Sequence, residues 1–384
     1  MVKKLCLLGA SGSIGQQTLD VIKKNREDFT LVSFSIGHQT RKISPIIKKH
    51  PSVRSICVLS KDKCKEYQKK YPHIKFYYGD EGLLSLINDD IDMVVNALVG
   101  FVGLKPTLYA LEQNKTVCLA NKEALVVGGE LVNKLLSEGK GTLYPIDSEH
   151  SALRKCLMVD DENVDKLVLT ASGGAFRNLT RDQLTNVTKE DALKHPNWKM
   201  GNKITIDCAT MVNKAFEIIE AHYLFGYPYE KIGVKLHDES YVHSYVQYND
   251  GLLRLDISKP DMRNPIKLAL YGFNIPFNTK VVASLDSLTQ FHFHDFDIKR
   301  YPVIKYAEKV IKNKGGYGAV FNAANEVAVY AFLNDQIPFL AIEKIIDDCM
   351  ANYKNEKIDN YDKLVEIDAK TRQIVRKMIE DWRK

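Results

Sequence analysis

The sequence predicts an α/β fold: a doubly wound parallel sheet at the N-terminus, an α+β domain in the centre and a helical domain at the C-terminus. Three patterns carry this. As far as Pro145, short and nearly continuous apolar runs alternate with amphipathic ones, which is how strands buried on both faces alternate with crossover helices. From Lys166 the two kinds of run mix. Beyond Tyr301 only helical spacing remains.

In chain order, Lys3 to Leu8 is the first strand, a glycine-punctuated turn follows, and Gln16 to Lys24 is the first helix. Leu31 to Ile36 is a strand, Ser44 to Lys49 a helix, and Ser55 to Leu59 and Asp92 to Leu98 are strands. Pro106 to Glu112 is helical, Thr116 to Leu119 is extended, and Thr142 to Ile146 closes the sheet. In the centre, Leu167 to Ala171 and Ile204 to Ile206 are predicted strands and Ala209 to Ala221 a helix. Tyr241 to Tyr248 and Leu252 to Ile257 form a hairpin turned at Asn249, Asp250 and Gly251. Ser287 to Tyr301 is irregular, and the last helix sets Leu364, Ile367, Ile374, Met378 and Trp382 along one face. The expected domains are 1–147, 148–272 with a flexible loop at 195–202, a linker at 273–300 and a helical domain at 301–384.

A chain of 384 residues exceeds one ordinary core, and 45% hydrophobic with 27% charged residues is a globular composition rather than a disordered one. The longest apolar stretches, such as Val94 to Val102, fall short of the roughly 20 residues a bilayer requires. Met1 and two lysines lead straight into a strand, so no targeting segment is expected and a cytoplasmic location is predicted. The seven cysteines form no C-x-x-C pair, which argues against a disulfide framework and a structural zinc. The net charge of +6 is spread without a basic block, favouring small anionic ligands over a nucleic-acid track.

Gly9-Ala10-Ser11-Gly12-Ser13-Ile14-Gly15 lies between the first strand and the first helix, where backbone N–H groups at a helix start can face a pyrophosphate. A plain strand-to-helix turn would also use glycines, but its place at the head of an alternating domain favours a dinucleotide. The second strand runs into Gly37-His38-Gln39-Thr40-Arg41-Lys42. No carboxylate stands there to take a ribose 2′-hydroxyl, and the basic side chains suit a 2′-phosphate, so NADP is preferred to NAD.

Asp147 and Glu149 follow the strand Thr142 to Ile146, and in an extended segment residues two apart point the same way. Their oxygens suit Mg²⁺ or Mn²⁺; a cap on a helix starting at Ser151 is the competing explanation. On the predicted helix from Ala209, Asn213, Lys214 and Glu217 share a face. Glu217 can complete a three-carboxylate site while Asn213 and Lys214 serve a phosphate; the alternative is a surface Lys214/Glu217 ion pair. Ser172-Gly173-Gly174 after a strand can form an anion nest. The loop from His195 to Asn202 holds Trp198, Met200 and Gly201, which suits a lid, or Trp198 simply fills the core.

Taken together, GASGSIG, LANKEAL from Leu119, PIDSEHSAL from Pro145, ASGGAFR from Ala171, HPNWKMGNKI from His195, MVNKAFEIIEA from Met211, DMRNPI from Asp261 and NAANEVAV from Asn322 resemble the 1-deoxy-D-xylulose 5-phosphate reductoisomerase family, in its order, along nearly the whole chain. The resemblance implies a Rossmann-like first domain and a homodimer built through the central domain. It implies an NADPH- and metal-dependent conversion of 1-deoxy-D-xylulose 5-phosphate, a small sugar phosphate, into 2-C-methyl-D-erythritol 4-phosphate for non-mevalonate isoprenoid synthesis. It assigns Asp147, Glu149 and Glu217 to the metal, with Lys122 and Ser148 at the reacting end of the substrate. Ser172, Cys208, Asn213 and Lys214 fall around the substrate phosphate, with His195 against the substrate. Ser11, Gly12, Ser13, Ile14, Gly37, His38, Gln39, Asn121, Glu123 and Gly201 fall at NADPH-contact positions.

The chain departs from the family pattern at Cys208, commonly serine, and at His38-Gln39, commonly lysine and asparagine. A thiol hydrogen-bonds more weakly than a hydroxyl. Gly100-Phe101-Val102-Gly103 is bulkier than expected, and Gln290 to Asp297 diverges. A metal-independent semialdehyde or polyol dehydrogenase would share the glycine turn without needing three convergent carboxylates. A non-catalytic NADP-sensing module would need neither the phosphate residues nor the lid.

Overall fold

The apolar runs of the N-terminal half line up as seven parallel strands: β1 (Lys3–Leu8), β2 (Phe29–Ile36), β3 (Ser55–Val58), β4 (Lys75–Tyr78), β5 (Met93–Asn96), β6 (Thr116–Leu119) and β7 (Thr142–Pro145). In the sheet they lie in the order β4-β3-β2-β1-β5-β6-β7. Helices α1 (Ser13–Lys24), α2 (Ile43–Lys49), α3 (Lys61–Lys70), α4 (Gly79–Ser85), α5 (Leu104–Glu112) and α6 (Lys122–Ser137) connect them. The direction of winding reverses between β1 and β5, and a crevice beyond the strand ends at such a switch is where open sheets take ligands. The inner strands are largely apolar because both faces are covered, and Leu5, Leu7, Leu31, Phe34 and Val95 are fully buried, while the edge strand β4 exposes Lys75 and Tyr78.

This computed structural model describes residues 2–198, 200–274 and 290–382. They form two compact units. The first takes the chain to Ala124, Val132–Asp147 and the stretch beginning at Asp261; the second takes Leu125–Leu131, Ser148–Pro260 and the described residues from Gln290 on. The expected linker at 273–300 falls in part outside the described residues.

The second unit has a five-stranded sheet of β8 (Val164–Ala171), β9 (Ile232–His237), β10 (Val242–Tyr248), β11 (Leu253–Ile257) and β12 (Phe293–Asp295), in the order β11-β10-β8-β9-β12. Strands β8 and β9 are parallel and the other pairs antiparallel. The β10–β11 pair is the expected hairpin, turned with Gly251 at φ +87°. Helices α7 (Ser148–Leu157) and α10 (Val212–Phe225) pack on the sheet. The unit also holds α8 (Lys189–Ala192), α9 (Asn202–Thr210), α12 (Lys305–Asn313), α13 (Tyr317–Leu333), α14 (Phe339–Asn352) and α15 (Tyr361–Trp382).

Helix α11 (Arg263–Leu270), placed by sequence at the end of the central domain, belongs to the first unit. Ile266, Ala269 and Leu270 join the core that contains Leu31 and Phe34, Arg263 pairs with Asp20 of α1 at 2.9 Å, and the Tyr271 ring stands edge-on to Phe29 at 4.9 Å.

Five local expectations are corrected. Ile204 to Ile206 is not a strand but part of α9, whose buried Lys203, Ile206, Asp207 and Thr210 recur at spacings of three and four. The predicted single helix from Ala209 is two, because Met211 at φ +64° ends α9 and starts α10. Helix α7 begins at Ser148 rather than Ser151, and β12 lies inside the stretch expected to be irregular. On α15 the buried face is Leu364, Ile367, Thr371, Val375 and Ile379, while Ile374 and Trp382 are exposed.

Candidate active site

The glycine turn closes tightly between β1 and α1. A Cβ on Gly15 would lie 2.3 Å from the Gly9 carbonyl oxygen, so the first turn of α1 can sit over the strand end only without a side chain there. Gly12 caps α1 in an extended conformation with no side-chain cap, which leaves the first N–H groups of the helix for an anion. Ser11 and Ile14 are half-buried and Gly12 and Ser13 exposed, as a ligand-facing rim requires. The turn is stitched to β2, the Ala10 N–H donating to the Ser35 carbonyl at 2.9 Å. At the end of β2, Gly37 is half-buried and His38 and Gln39 are exposed. Asn121 caps α6 by accepting from the Ala124 N–H at 3.0 Å and donates to the Glu123 carboxylate at 2.9 Å. Gly201, the remaining expected cofactor position, lies in the second unit, where it caps α9. These residues fit a dinucleotide phosphate: glycines where backbone must approach, and helix N–H groups without a side-chain cap.

The acidic cluster grows from the junction of β7 and α7. Asp147 is the last residue before α7, Glu149 lies in its first turn, and Glu217 is one turn into α10. One carboxylate oxygen from each of the three lies within 4.8 Å of the others. Strand alternation does not bring Asp147 and Glu149 together, since Ser148 and Glu149 are helical. The helix start turns them toward α10. Hard oxygen donors at this spacing fit a divalent cation of the Mg²⁺ or Mn²⁺ kind.

Two lysines balance the acids. Lys122 pairs with Asp147 at 2.9 Å, both nearly buried. The Lys214 ammonium donates to Glu149 at 3.0 Å, to Glu217, and to the Thr170 carbonyl at 2.5 Å. Burial works against the Lys214 charge, but Glu149 and Glu217 outweigh it and raise its pKa above the ordinary lysine value. The Lys214/Glu217 pair is therefore real but buried, not a surface pair. Asn213 donates to Glu217 at 2.5 Å and Ser148 to Glu149 at 2.6 Å, so the expected phosphate residues Asn213 and Lys214 are turned to the acids here.

Beside the end of β8, Gly174 at φ +70° brings the chain against α9, where a Cβ would meet the Cys208 carbonyl oxygen at 2.6 Å. The approach places Ser172 and the half-buried Cys208 in neighbouring backbone. Ser172 Oγ lies 3.0 Å from His195 Nε2. The other ring nitrogen, Nδ1, accepts from the N–H groups of Asn197 and Trp198 at 3.2 and 3.0 Å, which fixes the proton on Nε2 when the ring is neutral. Burial, with the nearby Arg177 cation, pushes the His195 pKa down to about 4. Trp198 is half-buried with its ring 6.1 Å from that of His243, and Asn197 donates to the Asp238 carbonyl at 2.8 Å and to Ser240 at 2.7 Å. Lys199 lies outside the described residues.

Comparison with known proteins gives one answer. Residues 5–129 match the family described as 1-deoxy-D-xylulose 5-phosphate reductoisomerase, residues 143–225 its C-terminal domain, and residues 257–374 the DXP reductoisomerase C-terminal domain. The reductoisomerase of Bacillus subtilis (strain 168) is 44% identical over 385 residues, covering 98% of this chain and all of the relative. That of Lysinibacillus sphaericus is 43% identical over 381 residues at the same coverage. This chain belongs to the 1-deoxy-D-xylulose 5-phosphate reductoisomerase family.

Solved reductoisomerases share the whole fold. The Zymomonas mobilis enzyme in complex with NADPH is 33% identical with a TM-score of 0.90, covering 99% of this chain and 100% of that one. A DOX-P reductoisomerase in complex with NADPH, fosmidomycin and magnesium is 33% identical with a TM-score of 0.92, covering 99% and 98%.

Within the reductoisomerase fold, the sequence reading passed over three residues beside this site. Arg177 donates to the carbonyls of Ser172 at 3.3 Å and Asp238 at 3.1 Å, and it ends the quoted string ASGGAFR. His150 and Glu220 form, with Asp147, a second group of possible ligand atoms within 4.8 Å of one another. His150 also lies in a quoted string, PIDSEHSAL; Glu220 gave no signal beyond its helical spacing from Glu217.

Proposed function

We propose that Asp147, Glu149 and Glu217 hold one divalent ion, Mg²⁺ or Mn²⁺, at the centre of the reaction. The observation that carries this is the convergence of their oxygens within 4.8 Å. The activity follows from the family: the chain is an NADPH- and magnesium-dependent reductoisomerase acting on 1-deoxy-D-xylulose 5-phosphate, yielding 2-C-methyl-D-erythritol 4-phosphate. When bound, the metal supplies Lewis-acid polarisation of the substrate oxygens and the nicotinamide supplies hydride.

The chain's own residues orient and neutralise. Lys122, held on Asp147, presents N–H donors at the reacting end, and Ser148, whose one O–H is donated to Glu149, offers its oxygen there as an acceptor. Ser172, Cys208, Asn213 and Lys214 are proposed to grip the phosphate, remote from the reacting carbons, which sets orientation. His195, with Nε2 as its donor, is proposed to touch the substrate under a lid at 195–202. The ten cofactor positions named above are proposed to hold NADPH.

A homodimer is the proposed assembly. In the second unit α7 and α10 pack on the sheet, yet Leu253, Leu255 and Phe293 of its strands remain exposed. An apolar sheet face of this kind suits a second copy of the chain. The proposed location is the cytoplasm; among the described residues no helix is long and apolar enough to cross a membrane.

The test is NADPH oxidation with 1-deoxy-D-xylulose 5-phosphate, followed with and without a chelator. Turnover stops on chelation and returns with Mg²⁺ or Mn²⁺. Turnover that persists in chelator, or a Glu217→Gln variant with an unchanged rate, sinks the metal assignment.

A further inference from the structure

Among the described residues the Lys42 charge has no carboxylate partner, and its ammonium reaches the glycine turn. No Asp or Glu occurs between Asp28 and Asp62, so β2, the turn after it and α2 carry only neutral and basic side chains. Among the described residues no carboxylate pairs with Arg41 or Lys42, whereas Lys4, Arg54, Lys63 and Lys105 of the same unit each have an acidic partner. A patch of one sign on a protein otherwise laced with pairs is a site for an anion from outside.

Geometry separates Lys42 from its neighbours. Its ammonium donates to the Ser11 carbonyl at 2.9 Å, which carries the charge from the turn after β2 across to the glycine turn after β1. The backbone beneath it is pinned, with the Tyr67 hydroxyl donating to the Thr40 carbonyl at 3.1 Å and the Ile43 side chain fully buried. One N–H on Ser11 leaves two for a ligand. His38 and Arg41 are exposed, and no hydrogen bond or ion pair is seen to hold either in place. In sheets of this class the tip of the second strand meets the ribose of the adenosine half, and an acid there selects the 2′-hydroxyl. This chain has no acid there, and where the family commonly has a lysine it has His38.

We propose that Lys42, anchored on Ser11, is the specificity-determining cation for the ribose 2′-phosphate, and that it selects NADPH over NADH in this enzyme. The proposal rests on the cofactor assignment above and deepens it. A charge-assisted bond from a preorganised ammonium to a phosphate that NADH lacks acts on one cofactor only.

The test is binding to the full-length, substrate-free protein, read by the fluorescence of NADPH and of NADH, with adenosine 2′,5′-bisphosphate as competitor. Lys42→Met should weaken NADPH by about tenfold or more and leave NADH within about twofold; Lys42→Arg should keep most of the affinity. The bisphosphate should lose its competition in the Met variant to the same degree, and His38→Ala and Arg41→Ala should each cost less. An equal loss for both cofactors, no loss, or a larger loss in Arg41→Ala overturns the proposal. A wild-type protein that binds NADPH but ignores the bisphosphate overturns it while leaving the cofactor assignment standing; one that prefers NADH overturns both.

Discussion

Lys214 is the residue on which the electrostatics of the candidate site turn. It is buried against Glu149 and Glu217, and removing one partner from a buried ion cluster costs about 3–5 kcal/mol because the remaining charges are left without compensation. Lys214→Met should therefore lower the melting temperature, and Mg²⁺ should restore part of the loss in the variant more than it stabilises the wild type. A melting temperature that ignores the substitution would remove the electrostatic account. His195 gives a second test. Its folded pKa of about 4 lies below the ordinary 6.5, so the folded state binds fewer protons than the unfolded one between those values. Its contribution to stability is complete above pH 6.5 and is lost as pH falls through 6.5 toward 4. An NMR titration of the His195 ring should show a midpoint below 5; a midpoint near 6.5 contradicts the burial beside Arg177. At this scale the candidate residue types were legible in sequence, since carboxylates, lysines and a histidine stood in recognisable strings. The His195 tautomer is set by the N–H groups of Asn197 and Trp198, close in the chain but in a loop without periodicity, and Lys214 is held by Glu149 and Thr170, which are distant in the chain.

At the scale of elements, the glycine turn after β1 decides where α1 begins. In α1 the Gly15 position faces backbone, not a flexible side chain, so a methyl group there cannot be accommodated by a rotamer change. Gly15→Ala should cost about 1–3 kcal/mol in urea unfolding and weaken NADPH binding as α1 is pushed off the strand end. Unchanged stability would mean that the turn is looser than its geometry. The misread α9 shows the limit of local pattern. Ile204-Thr205-Ile206 has the alternation of a strand, but the buried Lys203–Asp207 pair at 2.9 Å and the Asn325 amide donating to Asp207 at 2.8 Å hold it as a helix against α13. A lysine and an aspartate read as solvent-facing in sequence, and only packing against another helix makes them interior. For the same reason the left-handed Met211, which breaks the predicted long helix, had no glycine to announce it.

At the scale of the whole molecule, the exposed sheet face makes the assembly testable. If the proposed dimer forms through this face, Leu253→Glu with Leu255→Glu should leave only monomer in light scattering, with each copy still folded, because both side chains are exposed in the single chain. A dimer that survives both charges must use another surface. The alternation of apolar and amphipathic runs determined six of the seven strands of the first sheet from the sequence alone, because strands covered on both faces are largely apolar and the connections between them must be crossovers; the edge strand β4, with Lys75 and Tyr78 exposed, carries no such run. The glycine turn, the absence of an acid after β2 and the three carboxylates were likewise legible in residue type and order. Tertiary structure decided what periodicity cannot encode. Helix α11 has an apolar face of Ile266, Ala269 and Leu270, but a face of that kind does not name its partner, and only folding delivered it to the core of the first unit. The convergence of Glu217 with Asp147 and Glu149 was decided in the same way, by α7 and α10 packing on one sheet across nearly seventy intervening residues, a distance over which no local pattern carries information.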